Sequence, residues 1–315
     1  MHGHGRGPRP PHGGGGRPQG PPQPPRKPSL FETMTAIQPR ERLRLETTSD
    51  ELVTRVVDLV TPIGKGQRGL IVAPPRTGKT TILQKIALAV QKNHPEVQIH
   101  ILLVDERPEE ATDFRVLAKG TSIKVVASTN DMTPRDHTRV TEQVLDEAKR
   151  EAEEKKDVLI LFDSLTRMTR AYNNQMPGHG RTMSGGIDAA AFQGPRAFFG
   201  AARALEQGGS LTILGTVLVD TGSRMDEVIF QEFKGTGNME LYLSREMADR
   251  RVFPAIDVVK SGTRREELLL GEEERNKVWR LRRRIADLRP LDAMEQLLEE
   301  LKKTGTNADF LKGIP

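Results

Sequence analysis

The chain has 315 residues, 36% of them apolar, which is enough to bury one substantial core. It contains no cysteine and no apolar run of about eighteen residues, so neither a disulfide framework nor a membrane-spanning helix is expected. The N-terminus lacks the apolar centre of a secretory signal, and a cytoplasmic location with no membrane contact is therefore predicted.

Residues 1–28 are rich in Gly and Pro, which predicts a disordered, low-complexity tail. The tail contains no acidic residue, and its basic residues are Arg6, Arg9, Arg17, Arg26 and Lys27. It therefore accounts for the whole formal net charge of +5. Because the rest of the chain is balanced in charge, any binding of nucleic acid by the folded part must depend on local loops. The tail histidines His2, His4 and His12 are interpreted as flexible side chains and not as metal ligands.

A connector over residues 29–60 ends in a short helix that Ser49 or Asp50 is expected to cap. Strands then alternate with helical patterns, which predicts an α/β core over residues 61–270 with a mostly parallel sheet flanked by helices. Charged helices over residues 271–315 predict a small C-terminal helical subdomain. The predicted strands are Gly69–Pro74, Gln98–Asp105, Ile123–Ser128, Val158–Asp163 and Leu211–Val219.

The segment GLIVAPPRTGKTT, residues 69–81, predicts a strand, a phosphate-binding turn and the start of a helix. Backbone N–H groups at a helix N-terminus bind anions, Lys79 can reach the outer phosphates, and the hydroxyl of Thr80 can bind Mg²⁺. The generic pattern opens with Gly, whereas this chain has Ala73 at that position. The segment predicts a site for a nucleoside triphosphate with Mg²⁺.

Two later strands end in carboxylates that suit such a site. Asp163 follows an apolar run and supplies the acidic partner that Mg²⁺ needs beside a nucleotide. Glu106, in the string VDERPEE, is the candidate general base for the attacking water. The alternative is that Glu106 supplies the N-terminal charge of the next helix, which Glu109 and Glu110 could supply equally well.

Two Gly-rich segments predict long loops in the core, where such loops are usually functional. They are residues 173–186, NNQMPGHGRTMSGG, and residues 219–227, VDTGSRMDE, and each offers one cation, Arg181 or Arg224. They could touch a phosphate backbone, or they could be ordinary surface loops.

A basic segment follows near the end of the core and contains Arg250, Arg251, Phe253, Arg264 and Arg265. In a ring of identical subunits, one of these arginines could stabilise the charge that develops on a neighbour's γ-phosphate. In a monomer they would be surface cations.

Six strings of the chain together resemble the bacterial transcription termination factor Rho family, a specific likeness that extends from about Ser29 to the C-terminus. The strings are APPRTGKT, LLVDERPEE, LFDSLTRMTRAYN, SGGIDAAAFQGPRAFFGAAR, VDTGSRMDEVIFQEFKGTGNMEL and RRVFPAIDVVKSGTRREELL. The resemblance implies a RecA-like P-loop NTPase core in a homohexamer. It also implies an RNA-dependent ATPase and helicase that uses ATP and Mg²⁺, translocates on single-stranded nascent RNA and releases the transcript. Contact with the transcription machinery is left open.

The resemblance also implies roles for individual residues. Lys79 would contact the phosphates, Thr80 and Asp163 would hold Mg²⁺, Glu106 would activate water, and Arg264, aided by Arg251, would act in trans as an arginine finger. Phe253 would stack on the adenine. The implied ATP contacts are Gly64, Lys65, Gly66, Gln67, Arg68, Gly69, Arg76, Thr77, Gly78, Lys79, Thr80, Thr81, Arg107 and Phe253. The implied RNA contacts are Arg181, Thr182, Ser184, Gly185, Gly186, Thr221, Gly222, Ser223 and Arg224.

The chain also departs from the family pattern. Arg76, Arg181 and Arg224 stand where lysine is expected in many relatives, which keeps the charge but changes its geometry. Relatives normally have an N-terminal OB-fold domain that binds RNA through aromatic platforms, whereas residues 1–28 contain no aromatic side chain. We therefore expect the chain to lack that primary RNA site, either as a truncated form or as a short relative.

Two alternatives to an autonomous RNA translocase stay open at this point. One is a ring subunit that binds ATP but needs a full-length partner to load RNA. The other is a subunit of a rotary ATPase, which shares the hexameric core but which the two loop strings disfavour.

Overall fold

The computed structural model describes residues 29–176 and 184–314, and the predicted tail and the residues between these ranges lie outside it. The strands are β1 (Ala36–Ile37), β2 (Arg42–Leu43), β3 (Ile63–Gly64), β4 (Arg68–Ala73), β5 (Gln98–Glu106), β6 (Lys124–Thr129), β7 (Asp157–Asp163), β8 (Arg203–Leu205), β9 (Ser210–Leu218), β10 (Met239–Tyr242) and β11 (Gly262–Thr263).

The helices alternate with these strands along most of the chain. They are α1 (Leu30–Thr33), α2 (Leu52–Val60), α3 (Lys79–Asn93), α4 (Pro108–Ala118), α5 (Pro134–Glu153), α6 (Leu165–Asn174), α7 (Gln193–Gly200), α8 (Arg224–Lys234), α9 (Arg245–Asp249), α10 (Glu272–Ile285), α11 (Pro290–Leu301) and α12 (Asn307–Lys312). In the described ranges, no helix is both long enough and apolar enough to cross a membrane.

The main sheet has the order β11-β10-β4-β9-β7-β5-β6, and its neighbours from β10 to β6 are all parallel. Strand β11 pairs antiparallel with β10, and β8 pairs antiparallel with both β9 and β1. Because the central strands are parallel, their carboxyl ends meet at one edge of the sheet. This edge receives the segments that follow β4, β5, β7 and β9, which are the segments singled out in the sequence.

Alternate residues of each central strand enter two different cores. In β4, for example, Ile71 packs into the core that contains α2, α3 and the C-terminal helices α10 to α12, whereas Val72 packs into the core that contains α5 to α8. A sheet that is buried on both faces explains why these strands are nearly continuous apolar runs. The mostly parallel sheet flanked by helices, predicted from the sequence, is confirmed.

The predicted central strands are present with ends shifted by about one residue, which is ordinary for element boundaries. The short strands β1, β2, β3, β8, β10 and β11 were not predicted, because two to four residues carry too little periodicity to indicate a strand. The cap of α2 was also wrong: the helix begins after Glu51, not after Ser49 or Asp50.

Candidate ATP-hydrolysis site

The turn between β4 and α3 contains the predicted phosphate-binding residues. Gly78 precedes the helix with a φ of 89°, a conformation that glycine adopts without strain, and Arg76 has a φ of 63°. Thr77 is buried and donates a hydrogen bond from its hydroxyl to the carbonyl oxygen of Pro74 at 2.7 Å. The helix therefore begins at Lys79, and the N–H groups of its first turn have no partners within the helix.

Three charged side chains meet beside this turn. The ammonium nitrogen of Lys79 lies 2.5 Å from Oδ2 of Asp163 and 3.0 Å from Oε1 of Glu106. Both carboxylates are buried, and they come from the carboxyl ends of two neighbouring strands, β7 and β5. The structure thus joins the three residues that the sequence placed in three separate strings.

The environment shifts the pKa values of this cluster. Burial acts to lower the pKa of Lys79, but the charges of Asp163 and Glu106 outweigh it, so the pKa is raised and the amine stays protonated. Burial and the nearby charge of Asp163 raise the pKa of Glu106 to about 7, against the opposing effect of Lys79 and Arg167. A carboxyl group with such a pKa can change protonation state near neutral pH, as a general base requires.

A β-bulge aims Glu106 into the site. Asp105 has a φ of 57°, and the pairing of β5 with β6 shifts in register between Val104 and Glu106. A bulge inserts one extra residue and rotates the side chains that follow it. As a result Glu106 is buried against Lys79, while Asp105 stays partly exposed.

Three residues of the site were not predicted from the sequence. Arg167, on the first turn of α6, lies with Nε 3.2 Å from Oε1 of Glu106, as an ion pair that is not aligned as a hydrogen bond, and it donates from Nη1 to the backbone oxygen of Asp105. Thr216 donates a hydrogen bond of 2.7 Å to Oδ1 of Asp163, and Glu110 accepts one of 3.3 Å from Thr80. Arg167 could have been anticipated, because it lies one helical turn after Asp163.

The donor set fits a nucleotide-bound Mg²⁺. Among the described residues, no cluster of three or more His, Cys, Asp or Glu side chains could hold a metal ion by itself. Mg²⁺ usually takes one or two carboxylates together with phosphate oxygens and water, which agrees with Thr80 and Asp163 as its protein ligands. Oε2 of Glu106 is buried without a hydrogen-bond partner, and such an orphaned acceptor suits a residue that must bind a water molecule.

The segment Gly64–Gly69 does not lie beside the phosphate-binding turn. Its last two residues, Arg68 and Gly69, begin β4, whereas the turn follows β4, so the rest of the strand separates them by roughly 15 Å or more. Its polar groups are used within the fold: Gly66 donates to Thr212, and Gln67 donates to the side chain of Asn238 at 2.6 Å. Within one chain, the structure therefore gives this segment no contact with the residues around Lys79.

The predicted arginine finger lies at that same opposite edge. The backbone N–H of Arg264 bonds the carbonyl oxygen of Asn238, next to the start of β4, and its side chain is exposed. Arg251 and Phe253 are also exposed and follow α9. These two residues come after the carboxyl end of β10, which is parallel to β4, so they stand at the edge that carries Lys79. Arg107 stands at this edge as well, because it precedes α4 directly after Glu106. Arg264 could reach a nucleotide at the Lys79 edge only from another subunit.

The two loops predicted to bind RNA lie side by side where the structure describes them. A Cβ atom on Gly185 would stand 2.9 Å from the backbone of Arg224, so only glycine allows this close approach. The segment Thr221–Arg224 lines a cavity of about 330 Å³ in front of α8. Arg181 and Thr182 lie outside the described residues, as does the side chain of Ser184.

Helix α6 connects the loops to the hydrolysis site. Arg170 contacts the buried carboxylate of Asp226 through both Nε and Nη2, at 2.5 to 2.9 Å, and the hydroxyl of Thr221 donates to the same carboxylate. Asn173, on the same helix, accepts a hydrogen bond from the backbone of Asp188 beyond the other loop. Arg167 at the start of α6 contacts Glu106. One helix therefore touches both loops and the candidate general base.

Comparison with known proteins identifies two levels of similarity. Residues 53–263 match the ATP synthase alpha/beta family, nucleotide-binding domain. The chain is 57% identical over 284 residues to transcription termination factor Rho of Aquifex aeolicus, covering 90% of this chain and 65% of that protein. It is 57% identical to Rho of Streptosporangium roseum and 54% identical to Rho of Escherichia coli K12, covering 73% and 68% of those proteins. The chain thus spans about two thirds of the length of these curated relatives.

Solved structures show the same fold at much lower identity. An ATPase of a bacterial type III secretion system superposes with a TM-score of 0.72 at 20% identity, over 89% of this chain and 85% of that one. The assembled ATPase EscN of an enteropathogenic E. coli secretion system gives a TM-score of 0.69 at 19% identity, over 89% and 72% of the two chains. The core therefore shares the fold of these proteins.

Proposed function

We propose, since the chain belongs to the transcription termination factor Rho family, that it hydrolyses ATP and uses the energy to move along single-stranded RNA and release transcripts. The observation that supports this most directly is the contact of Lys79 with Glu106 and Asp163 beside a phosphate-binding turn. The relatives are named as termination factors, and the transfer of that role to this chain is part of the proposal.

The proposed ATP site uses the residues at the carboxyl edge of the sheet. ATP phosphates would replace a carboxylate as partners of Lys79 and would accept hydrogen bonds from the first N–H groups of α3. Thr80 and Asp163 would hold Mg²⁺, which supplies electrostatic stabilisation of the phosphate charge when it is bound. Glu106, with its free acceptor Oε2, would orient a water molecule and accept its proton.

The position of Arg264 supports the proposed assembly into a homohexamer. A cation that stabilises the transferring phosphate must lie close to it, but Arg264 stands at the opposite end of β4 from Lys79. We propose that the ATP site is completed at a subunit interface, where Arg264 of one subunit meets the Lys79 edge of the next; Arg251 and Phe253 stand on the Lys79 side of their own chain, after the carboxyl end of β10. The exposure of all three side chains agrees with this arrangement.

The proposed RNA contacts are the adjacent loops that contain Gly185 and Arg224. Backbone N–H groups and hydroxyls in Thr221–Arg224, together with one cation per loop, suit a phosphate backbone better than they suit base recognition. Since α6 contacts both loops and Glu106, a change of loop position on RNA could be transmitted to the general base.

The test is the steady-state ATPase rate of the full chain with and without a long cytidine-rich RNA, with light scattering to report the assembly state. A hexamer whose ATPase is strongly stimulated by RNA is expected. A hexamer that hydrolyses ATP without responding to RNA would contradict autonomous translocation and would favour a ring subunit that needs a partner for RNA loading. Absence of hydrolysis under both conditions would contradict the proposal as a whole.

A further inference from the structure

The carboxylate of Asp105 has a basic side chain on each of two sides, Arg167 and His137. Only Arg167 belongs to the site described above. On one side, Oδ2 lies 3.5 Å from Nη1 of Arg167, which also bonds the backbone oxygen of Asp105. On the other side, Oδ1 lies 3.9 Å from Nε2 of His137, on the first turn of α5. The function proposed above gives no role to His137.

His137 is held rigidly. The side chain is buried, and its Nδ1 lies 3.0 Å from the hydroxyl oxygen of Ser128, which is itself fully buried in β6. When Ser128 donates to Nδ1, the ring proton stands on Nε2 and points its positive end toward Asp105. Residues Ser128, His137 and Asp105 thus form a chain of contacts from the interior of the fold to the bulge.

The bulge at Asp105 is what this chain of contacts supports. A residue other than glycine in the left-handed region is disfavoured, so the surrounding structure must stabilise it. Glu106 follows directly, and its orientation toward Lys79 depends on the rotation that the bulge produces. Loss of the contact of Asp105 with either Arg167 or His137 would let the backbone at Asp105 relax and would move the Glu106 carboxylate.

We propose that His137 is a positioning residue for ATP hydrolysis, which acts through Asp105 to hold the bulge that aims Glu106 at the attacking water. The inference rests on the proposed function. His137 does not touch the reacting atoms, so its loss should slow the chemical step and leave the binding of ATP nearly unchanged. Misplacement of a reacting group by about 1 Å can cost on the order of 100-fold in rate.

The test compares three substitutions at one position in the full chain. In His137→Gln the amide nitrogen can take the place of Nε2 and face Asp105, whereas in His137→Asn it can take the place of Nδ1 and face Ser128. His137→Leu removes both contacts. We expect His137→Leu and His137→Asn to lower kcat for ATP by about 10-fold to 100-fold with KM within about twofold of wild type, and His137→Gln to retain most of kcat.

His100 provides a matched control. It is a second buried histidine that contacts an acidic residue, Glu151 of α5, at 2.7 Å, but it lies near the start of β5, five residues before Asp105. His100→Gln should leave kcat and KM within about twofold of wild type. Thermal unfolding of every variant and binding of a fluorescent ATP analogue separate a lost catalytic geometry from a lost fold.

The results of this test distinguish a failure of the positioning role of His137 from a failure of the proposed ATPase function. If wild type hydrolyses ATP but His137→Leu keeps wild-type kcat, the positioning role is wrong while the ATPase proposal stands. Equal loss of kcat in the Gln, Asn and Leu variants would also overturn it, because the contact with Asp105 would then not be the one that matters. Loss in the Asn and Leu variants alone, with nucleotide binding intact, would establish it.

Discussion

At the scale of single residues, the chemistry of the site depends on burying two carboxylates next to one amine. Ionising two neighbouring carboxyl groups that are buried from water costs free energy, because both lose hydration and their negative charges repel each other. The positive charge of Lys79 offsets only part of that cost. The pKa of Glu106 is therefore raised to about 7, while Asp163 keeps a hydrogen bond from Thr216 as well as the contact with Lys79. Glu106 thus combines a titration near neutral pH with an unpartnered acceptor oxygen.

Glu106 should make the stability of the nucleotide-free chain depend on pH. Because its folded pKa of about 7 exceeds the ordinary value of 4.5, its contribution to stability is complete below pH 4.5 and is lost as pH rises through 7. Glu106→Gln should abolish this loss, which amounts to about 3 kcal/mol between pH 4.5 and 8 at most. Urea unfolding at pH 5 and pH 8 measures the difference in unfolding free energy between the two pH values.

The control is Glu109→Gln, which removes one exposed carboxylate from the following helix without touching Lys79. If Glu106→Gln shows the same change of unfolding free energy between pH 5 and pH 8 as wild type, the raised pKa of Glu106 does not exist in the folded chain.

At the scale of elements, helix α6 brings parts of the site into contact, whereas strand β4 keeps other parts of it apart. Helix α6 places Arg167 and Arg170 one turn from each other, and they pair with Glu106 and with Asp226 at the start of α8. Strand β4 has the opposite effect, because most of its length lies between the segment Gly64–Gly69 and the phosphate-binding turn.

Truncation of Arg170 should destabilise the start of α8, because Asp226 would remain buried with Thr221 as its remaining side-chain donor. We expect Arg170→Ala to lower the unfolding free energy by about 2 kcal/mol and to weaken RNA stimulation more than the basal ATPase rate. The double variant Arg170→Ala with Asp226→Ala should recover part of the stability, because no uncompensated charge is left. A double variant that is less stable than Arg170→Ala would show that this pair is not the relevant contact.

Gly66 should be far less tolerant of a side chain than Gly208, although both have a φ near 90°. A Cβ on Gly66 would stand 2.2 Å from the backbone nitrogen of Ala204, whereas a Cβ on Gly208 would meet only the side chain of Lys155 at 3.8 Å. We expect Gly208→Ala to cost about 1–2 kcal/mol from backbone strain alone, and Gly66→Ala to cost a further 1–3 kcal/mol or so from the clash. Urea unfolding of both variants measures this; equal costs would exclude the close approach.

At the scale of the whole molecule, one chain carries the two halves of the proposed ATP site at opposite edges of its sheet. In the proposed site, the edge with Lys79, Glu106 and Asp163 would provide phosphate binding and the general base, and the edge with Arg264 would provide a cation. Only a head-to-tail arrangement of subunits, in which unlike surfaces meet, can join the two edges repeatedly. Such an arrangement closes into a ring when the rotation between neighbouring subunits closes, as the proposed homohexamer requires.

Arg264→Ala should preserve binding of ATP and slow hydrolysis by about 1,000-fold, as is typical for an arginine finger. Arg265→Ala is the matched control, because Arg265 is adjacent but pairs with Glu267 of its own chain. Mixing Arg264→Ala with Lys79→Ala, each inactive alone, should restore part of the ATPase rate, since some interfaces then combine an intact Lys79 with an intact Arg264. If the mixture stays inactive although mixed rings form, or if Arg264→Ala weakens binding alone, action in trans is wrong.

Much of the fold and part of the site followed from local patterns. The apolar runs of the central strands, the turn before Lys79 and the strand-end position of Asp163 are short-range features, because the period of side chains along a strand and the φ preference of glycine act over a few neighbouring residues. The parallel sheet predicted from these patterns is present, and Lys79, Glu106 and Asp163 lie together at its carboxyl edge.

Other features depend on contacts between residues that are far apart in the chain. The bulge at Asp105, the partnership of Arg167 with Glu106 and the close approach of Gly185 to Arg224 arise only when separate elements pack together. Likewise, no pattern in the sequence indicates that Gly64 and Arg264 lie at one edge of the sheet and Lys79 at the other. The pairing of β11 with β10, and of β10 with β4, determines these positions. Local propensity therefore determined the elements and their chemistry, whereas burial and strand order, which are properties of the packed chain, determined which side chains meet and why the proposed site would need a second subunit.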